Sequence, residues 1–584
     1  MVDIDPAGSA AGPIAEPPLH VESAATRVET SDPTQQPARR TKRVWLLWVT
    51  TVALVAALFF ALVLAQSVSK PWTADTASVA LQGWDLVHLH VLLHGWWASD
   101  VNFYTLDAPL YGLCSLVFGL GSTAMHVAGA LTYTLVFLAS CWLAKGRTQG
   151  SAAWLRVALT AMFMAAPLFD GAMLRTVVLV PDHLGTMVFV LVAYVLWSRF
   201  ADSRWTPWAL LIVLTLGQLG DVTVRYVAVP AMLFVWAVDY LRDRQLRTPQ
   251  TRLMLTTIAS VLASMAIRDV MKHFGAYYLT KAHTAIAPIS QWSWHFKGTY
   301  LSTISLFGVE TSSFPGATAG RAAITFIGLA AFICGLVSML RVLIRWAHVD
   351  VADRLLAVSI LVYLAAYTFS TVAINGGGGG GYEFVGVLAM SAVLSVRNLG
   401  SVLRPLVTRL RPGLGGSGSG TDTDTGKRTR TRATLVGTIV AATAAAVCLV
   451  TGTGLFQPPV SDPNQVLAGW LEAHGLKYGL SDYWFGAPVT VYSGGRVEVR
   501  PVLPASSGFV ANPWGSKRQW YEASAHDARF VVAQDTPTST LTSAQTEAWF
   551  GQPSATYQVD GFTVLVYPYN LLTKTSIPVV PPGD

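Results

Sequence analysis

Repeated apolar runs, each near the roughly 20 residues that a helix needs to cross a bilayer, constrain this chain more than any other feature of its sequence. Each run ends in charge, glycine or proline. Only 12% of the 584 residues are charged and 52% are apolar, whereas a soluble domain carries about 25% charged residues. The pattern predicts an α-helical polytopic membrane protein with about eleven transmembrane helices.

The first 43 residues have no apolar periodicity and are rich in Pro, Ala, Thr and Glu. This composition predicts a disordered cytoplasmic tail. A basic cluster of Arg39, Arg40, Lys42 and Arg43 precedes the first span, at 44–66, which therefore enters the membrane from the cytoplasm.

Further apolar runs predict the remaining spans. They lie at 125–144, 152–170, 183–198, 205–220, 226–241, 253–271, 322–341, 355–373, 383–398 and 433–455. With the N-terminus inside, the flanks assigned to the cytoplasm hold about three times as many Lys and Arg residues as the outer loops. The formal net charge of +7 is thus a topology signal, and no nucleic-acid partner is predicted.

This topology divides the chain into segments. The transmembrane domain covers 44–400 and has long outer loops at 67–124 and 272–320; a cytoplasmic basic Gly/Ser linker at 401–432 leads to the last span. Residues 457–584 alternate strand-like pieces, at 489–492, 497–502, 530–533 and 562–567, with a short helix at 466–474. We therefore expect an extracytoplasmic C-terminal α/β domain.

The first outer loop is rich in Trp and Tyr. Its segment 79–97 is apolar but too polar to span, which predicts an amphipathic helix on the outer leaflet. Four carboxylates interrupt the loop, and they are the candidate catalytic residues: Asp75, Asp85, Asp100 and Asp107.

One pattern in this loop resembles a known group. An acidic residue, Asp75, follows the first span, a Leu-Leu-His-Gly element lies at 92–95, and Asp107 stands shortly before Pro109. In this respect the chain resembles the GT-C superfamily of polytopic membrane glycosyltransferases, of the actinobacterial type. The resemblance covers about 44–400. It implies a GT-C-like fold and an inverting transfer from a polyprenyl-phosphate sugar to a cell-envelope glycan or lipid acceptor outside.

Such a transfer needs a carboxylate to take the acceptor proton and fixed positive charge for the departing phosphate. Asp75 is the predicted base, with the other three carboxylates as alternatives. Outer-side basic and aromatic groups are the candidate substrate-binding residues: Arg175, His183, Arg225, Lys272, Lys281, Trp292 and Lys297, with Arg268 as a further basic residue.

Each assignment has a structural alternative. Asp75 is equally a solvated residue beyond a helix end, and Asp221 and Arg225 are spaced to pair with each other. Asp182 and His183 are too few ligands for a metal site, so none is predicted, although a divalent metal remains compatible with the chemistry. Aromatic residues of the C-terminal domain fit either a glycan acceptor or a core: Tyr483, Trp484, Trp514, Trp520 and Tyr521.

Two other classes of function remain open from the sequence. A transporter or flippase would place ionisable residues near the bilayer midplane, whereas the predicted spans keep their charges near their ends. A non-catalytic envelope-assembly protein would also carry an outer domain. Under all three readings we expect a multi-pass protein of the cell membrane that contacts membrane lipid.

Overall fold

The structure is a computed structural model. It describes residues 36–99, 101–169, 174–180, 183–280, 285–309, 319–373, 380–409, 461–506, 508–537 and 539–578. The chain divides into two compact units, Met1–Val55 and Ala56–Asp584. In the first unit the described residues form the start of one long helix, which begins at Gln36, inside the predicted tail. The predicted last span, 433–455, lies outside the described residues.

Helices dominate the described chain up to residue 409. In chain order they are α1 (Gln36–Ser67), α2 (Ala74–Val87), α3 (Asp107–Phe118), α4 (Ser122–Lys145), α5 (Gly150–Ala165), α6 (Thr186–Arg199), α7 (Thr206–Gly220), α8 (Thr223–Asp243), α9 (Pro249–His273), α10 (Ile289–Leu306), α11 (Ala319–Ile344), α12 (Val351–Thr368) and α13 (Gly386–Arg409). A short 3₁₀ helix (Ala166–Phe169) continues α5, and a π-helix (Arg175–Leu179) precedes α6.

Within the described part of the chain, seven helices are long and apolar enough to cross a membrane: α4, α8, α9 and α12, with Val49–Ser67, Gly150–Leu168 and Ile324–Ile344. The predicted spans 183–198, 205–220 and 383–398 fall on shorter apolar helices. The prediction of a helical polytopic membrane protein is therefore confirmed. The helix α13 continues to Arg409, into the segment predicted as a linker.

The first outer loop differs from its prediction. Instead of one helix over 79–97, α2 begins five residues earlier, at a capping box of Thr73 and Thr76. It ends before Leu89, whose φ of +67° does not continue a helix. A strand, β1 (Trp96–Ser99), follows instead. Most of α2 is buried, so it is not a surface helix.

The helices α2 and α3 are in close backbone contact. A Cβ on Gly83 would lie 2.2 Å from the carbonyl oxygen of Ala108, and a Cβ on Gly112 would lie 2.2 Å from the carbonyl oxygen of Gly83. No side chain fits at either position without moving a helix. The crossing fixes α2, and with it the acidic residue in its first turn.

The C-terminal region is an α/β domain, as predicted. Its helices are α14 (Pro463–Ala473), α15 (Tyr483–Tyr492) and α16 (Ser543–Phe550). Its strands are β3 (Tyr478–Ser481), β4 (Glu498–Ala505), β5 (Gly508–Ala511), β6 (Ser516–Lys517), β7 (Phe530–Ala533), β8 (Ala555–Val559), β9 (Phe562–Val566) and β10 (Thr575–Ser576). Seven of them form one mixed sheet in the order β10-β5-β4-β3-β7-β9-β8.

The sheet is buried on both faces. Along β7, Val531 belongs to an apolar cluster with Phe509 and Phe550, whereas Phe530 and Val532 belong to a cluster on the other face. The predicted strand at 489–492 is wrong. These residues end α15, which Asp482 initiates by accepting a hydrogen bond from the backbone N–H of Trp484 at 2.9 Å.

Strand pairing joins the two parts of the molecule. A second sheet has β1 at its centre, parallel to β2 (Tyr278–Thr280) and antiparallel to β6 of the C-terminal region. Trp97 of β1 is 1% exposed and belongs to the apolar cluster of the C-terminal domain. The two predicted outer loops and the C-terminal domain thus lie at the same end of the helical part.

Candidate functional site

A large cavity lies where the helices meet the C-terminal domain, and its volume is about 1430 Å³. The start of α2, the first turns of α8 and the end of α12 line its helical side. The C-terminal domain contributes Tyr483, Trp484, Trp514 and Thr540. The cavity is therefore completed by residues from both parts of the chain.

Asp75 lies in the first turn of α2 and lines this cavity. Its Oδ1 accepts a hydrogen bond from the hydroxyl of Tyr483. Its position at a helix N-terminus favours the ionised carboxylate, because the unpaired backbone N–H groups there carry partial positive charge. The result is a half-buried carboxylate in a fixed orientation at the wall of the cavity.

The C-terminal domain holds α2 in place around Asp75. The Ser78 hydroxyl donates to the carbonyl oxygen of Gly515 at 2.9 Å. The ring of Trp72 stacks on Tyr492 with 4.3 Å between centroids. Burial raises the pKa of Asp482, which caps the helix that begins with Tyr483, although the bonds donated by Trp484 N–H and the Thr540 hydroxyl act to lower that pKa.

The other candidate bases do not line this cavity as the structure describes it. Asp85 accepts from the Trp96 indole N–H at 2.8 Å and pairs with Lys517 at 2.9 Å, so it connects the first outer loop to the C-terminal domain. Asp107 is buried at the start of α3 and accepts from the Thr132 hydroxyl at 3.3 Å. Asp100 lies outside the described residues.

A second ionisable group in the cavity wall is centred on His183. Its Nδ1 lies 2.8 Å from Asp221 Oδ2 and 2.8 Å from the Thr223 hydroxyl. Its Nε2 lies 3.5 Å from Glu383 Oε2. His183, Thr223 and Glu383 face the cavity, whereas Asp221 lies behind them, 1% exposed.

This arrangement favours a charged imidazolium. Burial lowers the pKa of His183, but the charges of Asp221 and Glu383 and the hydrogen bonds with both raise it, and the net result is a pKa well above the ordinary value. Burial raises the pKa of Asp221, but His183 and the bonds from Thr186 and Thr223 lower it below the ordinary value. A buried ion pair with additional hydrogen bonds can persist in this setting. Asp221 thus pairs with His183, whereas Arg225, the partner that the sequence spacing allowed as an alternative, contacts Gln218 and Ser264.

Most of the basic residues predicted for substrate lie elsewhere. Arg225 and Lys272 are not among the residues that line the cavity, and Lys297 is exposed with its amine 5.7 Å from the centre of the Trp294 ring. Lys281 and the side chain of Arg175 lie outside the described residues. Among the described lining residues, His183 is the group that can carry positive charge.

The aromatic predictions divide between the cavity and structural roles. Trp292 donates to the carbonyl oxygen of Ala287 at 2.9 Å and packs edge-on against Phe369, whose ring lines the cavity. Tyr521 is 1% exposed in the core, and the Trp520 ring lies 3.9 Å from the Arg500 guanidinium. Tyr483, Trp484 and Trp514 are the members of the C-terminal set that reach the cavity.

Two features of the site are missing from the sequence prediction: the Tyr483 contact with Asp75 and the role of Glu383 and Asp221 around His183. Tyr483 is 408 positions from Asp75, and no local pattern reveals such a contact. One signal was available for Asp221, because an acidic residue between two apolar helices needs a partner. Among the described residues, no group of three or more His, Cys, Asp and Glu side chains has metal-binding geometry.

Comparison with known proteins gives similarity at the level of structure. No protein-family model matches the sequence, and no curated protein matches it. The structure is similar to that of ArnT from Cupriavidus metallidurans bound to undecaprenyl phosphate, with a TM-score of 0.47 and 13% identity over 89% of this chain and 97% of that one. It is also similar to the apo oligosaccharyltransferase of Archaeoglobus fulgidus, with a TM-score of 0.43 and 13% identity over 83% of this chain and 69% of that one. Both neighbours have the GT-C fold of polytopic membrane glycosyltransferases. At these values the likeness describes the general course of the chain and assigns no residue and no reaction.

Proposed function

We propose that this chain is an integral membrane glycosyltransferase that moves a sugar, with inversion, from a polyprenyl-phosphate donor to a cell-envelope glycan or lipid acceptor on the outer face. The observation that carries the proposal is the position of Asp75. Its carboxylate lines a large cavity between the helices and the C-terminal domain, and Tyr483 of that domain fixes its orientation.

Asp75 is the general base in this proposal. The acceptor hydroxyl oxygen attacks the anomeric carbon of the sugar and gives its proton to the Asp75 carboxylate. The bond from the anomeric carbon to the phosphate oxygen breaks, and its electron pair leaves with the phosphate. A single displacement of this kind inverts the anomeric configuration.

His183 is the group proposed to stabilise the phosphate. A leaving phosphate develops negative charge, and an imidazolium at the cavity wall offers a fixed positive partner for it. Asp221 and Thr223 orient the ring from behind, and Glu383 lies on its other side. The phosphate would replace Glu383 at Nε2.

The walls of the cavity suit the two substrates differently. The end of α12 contributes apolar surface from Val362, Ala366 and Phe369, which suits an isoprenoid chain. The C-terminal domain contributes Trp484 and Trp514, and indole faces pack well on sugar rings through their large amphipathic surface. We therefore assign the acceptor to the side of the C-terminal domain.

The proposal includes a membrane orientation and a division into domains. The N-terminal tail, 1–43, and the linker, 401–432, lie in the cytoplasm, and the domain at 457–584 lies outside. The transmembrane domain is 44–400, with the last helix at 433–455. Support comes from strand pairing, because β2 and β1 of the two predicted outer loops share a sheet with β6 of the C-terminal domain.

The test is sugar transfer by the purified full chain in nanodiscs, with radiolabelled polyprenyl-phosphate sugars and envelope lipid acceptors. We expect transfer by the wild type and a loss of about 10²-fold to 10⁴-fold in Asp75→Asn, as for removal of a general base. The matched control is Asp560→Asn, since Asp560 is exposed in a turn with φ of +46°, which Asn also tolerates.

Three outcomes contradict parts of the proposal. Wild-type protein that transfers no sugar across a broad donor panel supports a transporter or an envelope-assembly protein instead. Full activity in Asp75→Asn removes Asp75 as the base. Retention of the anomeric configuration in the product excludes a single displacement.

A further inference from the structure

A pair of arginines, Arg225 in the first turn of α8 and Arg268 near the end of α9, is not among the residues that line the large cavity. Arg225 donates through Nε to Gln218 Oε1 at 3.4 Å and through Nη2 to the Ser264 hydroxyl at 3.2 Å. Arg268 donates through Nη2 to the backbone carbonyl oxygen of Gln218 at 3.3 Å. Two guanidinium groups therefore share one neutral residue as their partner.

Among the described residues, neither the Arg225 nor the Arg268 guanidinium forms an ion pair with a carboxylate. No described carboxylate therefore balances the charge of this pair by direct contact. The Nε of Arg268 is buried and has no hydrogen-bond partner. By contrast, other arginines of the helices are paired: Arg397 lies 2.5 Å from Asp353, and Arg354 contacts Asp239. Holding two like charges together costs free energy unless an anion joins them.

A small cavity of about 170 Å³ is lined by Arg268 of this pair and not by Arg225. Its lining is Arg268, Asp269, Met271, Lys272, Ala276, Tyr277, Tyr278 and Leu279. Lys272 is four residues after Arg268 on α9 and so lies on the same helix face. The volume equals that of about five or six waters at roughly 30 Å³ each, which suits a phosphate group of five heavy atoms. With Arg225 included, basic groups outnumber Asp269 three to one.

The surroundings are those of a lipid-facing surface. On α9, Leu262, Met265 and Val270 are 62%, 48% and 56% exposed. Phe274, one residue beyond the helix, is 64% exposed. In a helix that crosses a membrane, such side chains contact acyl chains. Arg268 and Lys272 lie near the end of this helix, where long basic side chains reach the head-group layer.

We propose that Arg268 and Lys272, with the charge of Arg225 beside Arg268, bind the phosphate of a membrane lipid at a site separate from the cavity that contains Asp75. The ligand class is a lipid phosphate, of which an anionic phospholipid of the surrounding bilayer and the polyprenyl phosphate are the two possible sources. The site is independent of the proposed transfer reaction. Its occupant neutralises the arginine pair and attaches α9 to the head-group layer.

The test is lipid retention by the purified full chain, measured by native mass spectrometry after delipidation and incubation with phosphatidylglycerol, phosphatidylcholine or polyprenyl phosphate. We expect one retained phosphatidylglycerol. Binding should weaken roughly fivefold to tenfold in Arg268→Gln and in Lys272→Gln, as expected for the loss of one basic group at a membrane surface. The matched control is Arg204→Gln, which removes an exposed arginine that lies over the Trp205 ring.

The outcomes separate the two sources. One outcome is that the protein retains phosphatidylglycerol and that polyprenyl phosphate displaces it only at large excess. This outcome supports the proposed site and identifies a bilayer phospholipid as its ligand. Preferential retention of polyprenyl phosphate supports the site and identifies that lipid as the ligand. Equal retention of phosphatidylcholine and phosphatidylglycerol overturns the proposal. Unchanged lipid binding in Arg268→Gln also overturns the proposal. Equal melting temperatures of Arg268→Gln, Arg268→Lys and the wild type show that the comparison is made on folded protein.

Discussion

A hydroxyl group from a distant part of the chain helps to orient Asp75. Tyr483 donates to its Oδ1, and we expect Tyr483→Phe to lower kcat about tenfold with little change in KM. A hydrogen bond to a charged group is worth about 1.5–3 kcal/mol, and the substituted ring keeps its shape. Steady-state transfer assays measure this split.

The control for this substitution is Tyr557→Phe, because Tyr557 is 42% exposed on the far strand of the C-terminal sheet. Unchanged kcat in Tyr483→Phe would mean that Asp75 does not need this bond for its orientation. A rise in KM alone would place Tyr483 among the substrate-binding residues instead.

The His183 pair predicts a pH dependence of stability. Folding raises the pKa of His183. Its contribution to the free energy of unfolding is therefore complete below the ordinary pKa of about 6.5, and it is lost as pH rises through the pKa of the folded state. Folding lowers the pKa of Asp221. Its contribution to the free energy of unfolding is therefore present above about pH 3.9, and it is lost as pH falls through the pKa of the folded state.

We therefore expect the wild type to melt at a higher temperature than His183→Gln. The difference between the two melting temperatures should be largest near about pH 6 and should shrink toward alkaline pH. Thermal unfolding in detergent across a pH series measures it. His474→Gln, at an exposed position of the C-terminal domain, should give a difference without this trend. A difference that grows with pH would contradict the assignment of a buried imidazolium.

The crossing of α2 and α3 is the critical contact at the scale of elements. A Cβ at Gly83 would come within 2.2 Å of a backbone oxygen, which cannot move as a flexible side chain can. We expect Gly83→Ala to destabilise the protein by about 1–3 kcal/mol, the usual cost of overpacking, and to lower transfer because α2 carries Asp75. Chemical unfolding and transfer assays measure the two effects.

Gly469→Ala is the matched control, since nothing lies within 4 Å of its added Cβ. It should be neutral or stabilise by up to about 1 kcal/mol, because alanine favours a helix over glycine. Equal stability of Gly83→Ala and the wild type would show that the helices separate at little cost.

Elements also show where sequence patterns succeed and fail. Apolar length predicted α4 to α9 and α11 to α13, because a spanning helix must satisfy every backbone polar group by itself. It did not predict α10, which lies in the segment expected to be an outer loop. Between 79 and 99 the same apolar content misled the prediction. There, Trp96 and Trp97 are buried by strand pairing with β2 and β6 and by the C-terminal core, which a helical pattern does not reveal.

At the scale of the whole molecule, docking of the C-terminal domain completes the cavity. Asp85 and Lys517 form a partly buried pair across this contact, at 2.9 Å. We expect Asp85→Ala and Lys517→Ala to show a coupling of about 0.5–1 kcal/mol in a double-mutant cycle of thermal stability. High salt should reduce the coupling.

The same variants should increase proteolysis at the contact between β1 and β6 and lower sugar transfer by a modest factor. The exposed pair of Arg529 and Asp527, within the C-terminal domain, is the comparison cycle and should leave transfer unchanged. Zero coupling between Asp85 and Lys517 would mean that the other contacts, among them the strand pairing and the Ser78 bond to Gly515, maintain the docking.

The sequence by itself determined that the chain is a helical membrane protein with a C-terminal α/β domain. Apolar run length and alternating strand patterns are local properties, so they can be read from neighbouring residues. It also pointed to the first outer loop and to Asp75 as the candidate base. The tertiary structure alone decided which of the three described carboxylates, Asp75, Asp85 and Asp107, lines the cavity. It also decided that Tyr483 contacts Asp75, and that His183 pairs with Asp221 while Arg225 lies beside Arg268. These contacts join residues far apart in the chain, and a packed arrangement of helices and sheet, unlike a local pattern, sets which of them meet.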